Sequence, residues 1–166
     1  MIELPGEVVG LLSCAREEDV EEANECVTHL GLVLERNSVP GGGSGVDPRY
    51  NNISLSYEQR EKLIREIGGL LNLGQVRVSA VWALGKGNSR SCLDCLISWI
   101  PKVLSDFEEM AVIQWMLAFE TVMTSPADYK YPSELFEMLQ MLSVSECPEV
   151  SGIAKRLKSK LSRSWL

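Results

Sequence analysis

Cys92-x-x-Cys95 is the one spacing in this chain that metal or thiol–disulfide chemistry uses, and it stands alone. A structural zinc site needs a second pair of Cys or His at comparable spacing, and a thioredoxin-like site needs a strand leading into the motif. Neither accompanies it, so both thiols are expected in a helical core. His29 is the only histidine; without a serine or cysteine nucleophile motif it builds no triad and is expected half-buried on a helix. Gly41-Gly42-Gly43-Ser44-Gly45 lacks the Gly-Lys-Ser/Thr ending of a phosphate loop, and Gly85-Lys86-Gly87 lacks the upstream glycine. Carboxylates are plentiful, but acid–base chemistry needs two whose pKa values are driven apart by their surroundings. The chain is therefore expected to hold no catalytic residue, cofactor or metal, and not to be an enzyme.

What the charged residues do offer is an uneven field. Residues 1–35 carry Glu3, Glu7, Glu17, Glu18, Asp19, Glu21, Glu22, Glu25 and Glu35 against Arg16 alone. From Val150 onward the charged residues are Lys155, Arg156, Lys158, Lys160 and Arg163, all basic. Acids at the start of a helix complement its dipole, and bases at the end of one do the same, so a local account exists for both clusters. The alternative for the acids is a docking surface that attracts a cationic partner and speeds its association. Glu17, Glu18, Asp19, Glu21, Glu22 and Glu25 are its candidate residues, joined by Asp106, Glu108 and Glu109 at the start of a later helix.

The whole chain bounds these choices. Its 166 residues are 45% hydrophobic and 23% charged, with a formal net charge of −7. That describes one globular domain, and the negative balance disfavours phosphate-bearing partners, because binding nucleic acid depends on Lys and Arg. No apolar run approaches the roughly 18 residues of a membrane span. The opening Met-Ile-Glu-Leu-Pro lacks a basic segment leading into an apolar one, so no secretory leader is expected. Cys14, Cys26, Cys92, Cys95 and Cys147 form an odd set scattered over helical segments, which suits free thiols in a reducing cytoplasm.

Apolar spacing and caps place eight helices, expected as four antiparallel pairs. Pro5 opens the first, with Val8, Leu11, Leu12 and Ala15 on one stripe; the second runs from about Asp19 to Glu35 with Val20, Ala23, Val27, Leu30 and Leu34 inward. Ser56 and Gln59 make a capping box for the third, which ends near Asn72. The fourth, Val76 to Gly85, is apolar nearly all round and is expected between neighbours. The fifth carries Leu93 to Leu104 and is expected to bend at Pro101. The sixth spans about Asp106 to Met123; Ser133 is expected to cap the seventh, and the eighth uses Val150 to Leu161. Trp82, Trp99 and Trp115 are expected in the core and Trp165 at the surface. Ala23, Ala80, Ala111 and Ala154 each follow the start of an even-numbered helix by four residues, a repeat that would let paired helices approach closely. Residues 37–54, with the glycine run and Asp47-Pro48-Arg49-Tyr50, form a connection long enough to be either a tolerated insertion or a partner-contacting loop anchored by Arg49 and Tyr50.

The short apolar helix closing on Leu84-Gly85, and Pro101 inside the helix that follows, give residues 75–104 a resemblance to HEAT repeats. A small, acidic, all-helical chain of this kind is similar to the immunity proteins of contact-dependent growth inhibition and related polymorphic toxin loci, with Leu55 to Gly85 as the familiar segment. That resemblance implies a HEAT-like stack of about four helical hairpins. It also implies stoichiometric binding to a cognate toxin domain, commonly a basic nuclease, whose cleft is blocked by acidic side chains standing where substrate phosphates would. A HEAT-like adaptor between other proteins is the alternative. A repair glycosylase or lyase on the same scaffold would need a basic concave face or a reactive cysteine, which the acidic first 35 residues argue against.

Overall fold

The computed structural model describes residues 2–38, 53–105 and 108–163. Among them the chain is all-helical, without a strand: α1 (Gly6–Cys14), α2 (Val20–Arg36), α3 (Tyr57–Leu70), α4 (Arg77–Leu84), α5 (Arg90–Ser98), α6 (Ile100–Ser105), α7 (Glu109–Val122), α8 (Ser133–Leu142) and α9 (Pro148–Arg163).

The starts follow the side chains. Asp19 accepts a hydrogen bond from the Glu22 N–H at 3.1 Å and so caps α2. Ser56 and Gln59 form the expected capping box on α3, each side chain accepting from the other's backbone N–H. Ser133 does not cap α8: the cap position is Pro132, and Ser133 is the first helical residue. Pro101 breaks the expected fifth helix where only a bend was anticipated. It has no N–H to donate to Ile97, so the turn closes early through Trp99 N–H to Leu96, and α6 restarts at Ile100. That break accounts for nine described helices in place of eight.

The helices form two rows. In one, α2, α4, α7 and α9 follow one another side by side; α1, α3, α5–α6 and α8 cover them from the other side. α4 therefore sits between α2 and α7, which is why almost every face of this eight-residue helix is apolar. Its seats are made of small residues. A Cβ built on Gly31 of α2 would lie 3.1 Å from Ala83 Cα and 2.7 Å from the Trp82 ring, and one on Gly85 would lie 3.2 Å from Ala118 Cα of α7. Ala23, Ala80 and Ala154 are buried as expected, while Ala111 is only half-buried; the closest approaches are made by the Gly31/Ala83 and Gly85/Ala118 pairs.

The core runs through both rows, with Leu30, Leu34, Leu63, Ile64, Ile67, Leu84, Leu93, Leu96, Trp115 and Phe119 fully buried. Trp115 stacks on Phe119 at 5.1 Å and donates its indole N–H to the Leu96 carbonyl. Trp82 and Trp99 are half-buried, because each turns one ring face outward to a cation. Val20, expected inward, is 49% exposed: as the first residue of α2 it precedes the packed stripe. The connection after α2 is fastened at its ends, where the Asn37 side chain donates to Ile53 O at 3.1 Å and accepts from Leu55 N–H at 2.8 Å.

Candidate functional site

Side-chain contacts fix the direction of the first row. Asn24, near the start of α2, bonds Gln75 O and the Ser79 hydroxyl at the start of α4, and Glu35, near the end of α2, pairs with Lys86 just past the end of α4. Arg77 and Val81 of α4 share a cleft with Ala111, Val112 and Trp115 of α7. The three helices run the same way. Their N-termini, and the acids at them, lie at one end of the row.

At that end Glu17, Glu18 and Asp19 occupy the α1–α2 corner, with Glu21, Glu22 and Glu25 on the first turns of α2, and all six are exposed. Asp19 is used as the cap and Glu25 lies 3.9 Å from His29. Glu17, Glu18, Glu21 and Glu22 make no ion pair among the described residues. Part of the negative charge complements the α2 dipole, yet one cap and one first turn do not occupy six carboxylates. Glu108 and Glu109 are exposed at the start of α7. Asp106, Arg49, Tyr50 and Trp165 lie outside the described residues.

The corner is covalently closed. Cys14 at the end of α1 and Cys26 on α2 form a disulfide with their Cα atoms 6.2 Å apart, so the six candidate acids all fall inside the ring it makes. This corrects the expectation of five free thiols; Cys92, Cys95 and Cys147 are the free ones. The α1–α2 hairpin brings together two helix positions whose spacing carries no disulfide signature. With one pair bridged, cysteine usage no longer argues for a reducing compartment. Among the described residues no helix is long and apolar enough to cross a membrane.

Cys92 and Cys95 lie on α5, the first in the core and the second packed against it. Cys92 is buried, and desolvation, with the neighbouring Cys95 next in effect, pushes its thiol up to about 12; burial raises Cys95 as well. A protonated, enclosed thiol is a poor nucleophile and metal ligand. No group of three or more His, Cys, Asp or Glu among the described residues is arranged to hold a metal ion. The basic end is partly spent: Arg156 makes a bidentate pair with Glu120 of α7 at 2.7 and 2.9 Å, Lys160 reaches the same carboxylate, and Lys158 bonds Gln140 of α8. These bonds tie α9 to its neighbours. The Arg156 hydrogen bond is the main cause that holds the Glu120 carboxyl below its ordinary value.

One feature escaped the sequence. On the outer side of α2, α4 and α7 an open groove of about 480 Å³ is lined by Glu35, Trp82, Gly85, Lys86, Gln114, Leu117 and Thr121. Lys86 Nζ lies 3.3 Å from Glu35 and 4.9 Å from the centre of the Trp82 ring. The i, i+4 placement of Trp82 and Lys86 was visible, but Glu35 reaches them only through the packing of α2 on α4.

No family model, no curated protein and no solved structure matches this chain.

Proposed function

We propose that the protein acts by binding a basic protein, as an immunity protein that covers the active-site cleft of a cognate toxin domain, with its two helical rows forming a HEAT-like stack. The observation that carries the reading is the α1–α2 corner, where six exposed carboxylates sit at one end of a packed helical row. A binder gains affinity when its contact residues are ordered before the encounter, and Glu17, Glu18, Glu21 and Glu22, without an ion pair among the described residues, lose none there on docking. Glu108 and Glu109 extend the same end of the row. The resemblance in sequence supplies the toxin; the helical corner supplies a surface suited to a cationic one.

In this reading the protein works in the cytoplasm of the cell it protects. The Cys14–Cys26 bridge favours an oxidising compartment instead, and the state of that pair in protein isolated under thiol-blocking conditions decides between them. The test of function is protection. Co-expression should rescue cells from the toxin domain encoded directly upstream, the two proteins should co-purify in equal amounts, and replacing Glu18, Glu21 and Glu22 by Lys should slow association and flatten its salt dependence. Protection or binding unchanged by the triple replacement removes this corner from the interface. Absence of a toxin gene beside this one, with a different protein retained stoichiometrically, shifts the reading to the adaptor.

A further inference from the structure

The groove beside Trp82 holds the three parts of a cation site: an aromatic face, a carboxylate and a neutral polar rim. Trp82 approaches α2 closely because Gly31 has no side chain there; a Cβ at Gly31 would meet its Cζ3 at 2.7 Å. The ring lines the groove, with Lys86 over its face. Glu35, its side chain 29% exposed, lines the groove together with Gly85 and with Gln114, Ala118 and Thr121 of α7. Lys86 now sits in this slot, 4.9 Å from the ring centre and 3.3 Å from Glu35. Its side chain is also about one-third exposed, and its backbone lies just past the end of α4, so its head can swing away into water.

We propose that this groove takes an arginine or lysine side chain of a basic protein partner, and that Lys86 is an internal stand-in which that side chain displaces. The proposal rests on the partner being a basic protein, as argued above. Charge complementarity selects the occupant. Glu21, Glu25 and Glu35 fall on one stripe of α2 by helical spacing, so the acidic corner and the groove share a helix face about 21 Å long with carboxylates at both ends. About 480 Å³ of open space lies beside Lys86, room for an incoming side chain to approach the slot while Lys86 is still in place. Removing Lys86 frees the slot and also removes a like charge, and both effects favour the incoming cation.

The experiment uses an acetylated, amidated tetra-arginine peptide, with tetra-glutamine as control, titrated into the intact protein. The readout is the Trp82 indole N–H resonance, assigned with Trp82→Phe. Tetra-arginine should move this resonance, with Lys86→Ala binding about two- to fivefold more tightly and Glu35→Gln about the same factor more weakly. Lys62→Ala, which removes the same charge from the second row, should match the wild type. Charge reversal at Glu18, Glu21 and Glu22 should weaken binding yet leave the Trp82 shift at saturation. A Trp82 resonance that moves no further than with tetra-glutamine, or a Lys86→Ala affinity at or below the wild type, overturns the slot. If the peptide fills the slot while the protein retains no basic partner, the slot stands and the immunity reading falls. If a basic partner is retained but Trp82 stays silent, the reverse holds.

Discussion

Replacing Gly31 by Ala sets two effects of opposite sign against each other. In the interior of α2, alanine is favoured over glycine by about 1 kcal/mol through helix propensity alone. Against this, the new methyl group lands 2.7 Å from Cζ3 of Trp82 and 3.1 Å from both Cα and Cβ of Ala83. The ring can tilt toward the groove, but Ala83 Cα is backbone, and α4 cannot retreat freely because Gly85 already rests on Ala118 of α7. Overpacking costs about 1–3 kcal/mol, and contact with backbone sets this site in the upper part of that range, so after the propensity gain the net expectation is a loss of about 1–2 kcal/mol. Gly152→Ala on α9 supplies the reference: nothing lies within 4 Å of its added Cβ, so only the propensity remains and stability should rise by about 0.5–1 kcal/mol. Urea unfolding followed by circular dichroism reads both, with an unchanged slope confirming that the folded state keeps its extent. A Gly31→Ala midpoint at or above the wild type would refute the claim that backbone contact sets the α2–α4 separation.

Three further outcomes follow from the same geometry. Cys26→Ser opens a ring whose ends are 12 residues apart and should cost about 3 kcal/mol on the chain-entropy account, read as a lowered urea midpoint that reductant reproduces in the wild type. Glu120 is held below its unfolded-state value chiefly by the Arg156 hydrogen bond, so its contribution is present above the ordinary carboxylate range and is lost as pH falls through the lowered value. Glu120→Gln should therefore lower the midpoint at neutral pH and lose that effect in acid. Cys92, pushed up to about 12 by burial, should resist a thiol reagent at pH 8 in the folded protein and react on denaturation; folded-state labelling at the rate of a free thiol would contradict its enclosure.

Where a side chain acts on its own turn of helix, it could be read from the chain. Ser56 with Gln59, Asp19 before α2, and the all-round apolar character of Val76 to Gly85 each encode a local requirement and reappear in the fold. The heights of packing did not read so directly. Pro101 removes one bond in any helix, but whether the chain bends or breaks depends on what Trp99 and Ile100 pack against, and here it breaks. Residue type alone places Trp82 and Trp99 in the core, whereas each keeps one face free for Lys86 or Arg77. The acidic corner was legible as charge, while its position at one end of the row comes from α2, α4 and α7 running the same way. Its closure by Cys14 and Cys26 was not legible, since only the hairpin makes those two positions neighbours. The Glu35–Lys86–Trp82 arrangement joins residues from two helices and lay hidden for the same reason.

The Asn37 carboxamide has a use beyond holding its own neighbourhood. By bonding both Ile53 O and Leu55 N–H it brings the departure and the return of residues 39–52 to a single knot. A segment inserted between those points leaves the knot itself in place, and each doubling of the length of a flexible closed segment adds about 0.6 kcal/mol of closure entropy. The molecule thus has a built-in splice point, where a reporter or a second domain can be carried as cargo while α2 and α3 keep their register.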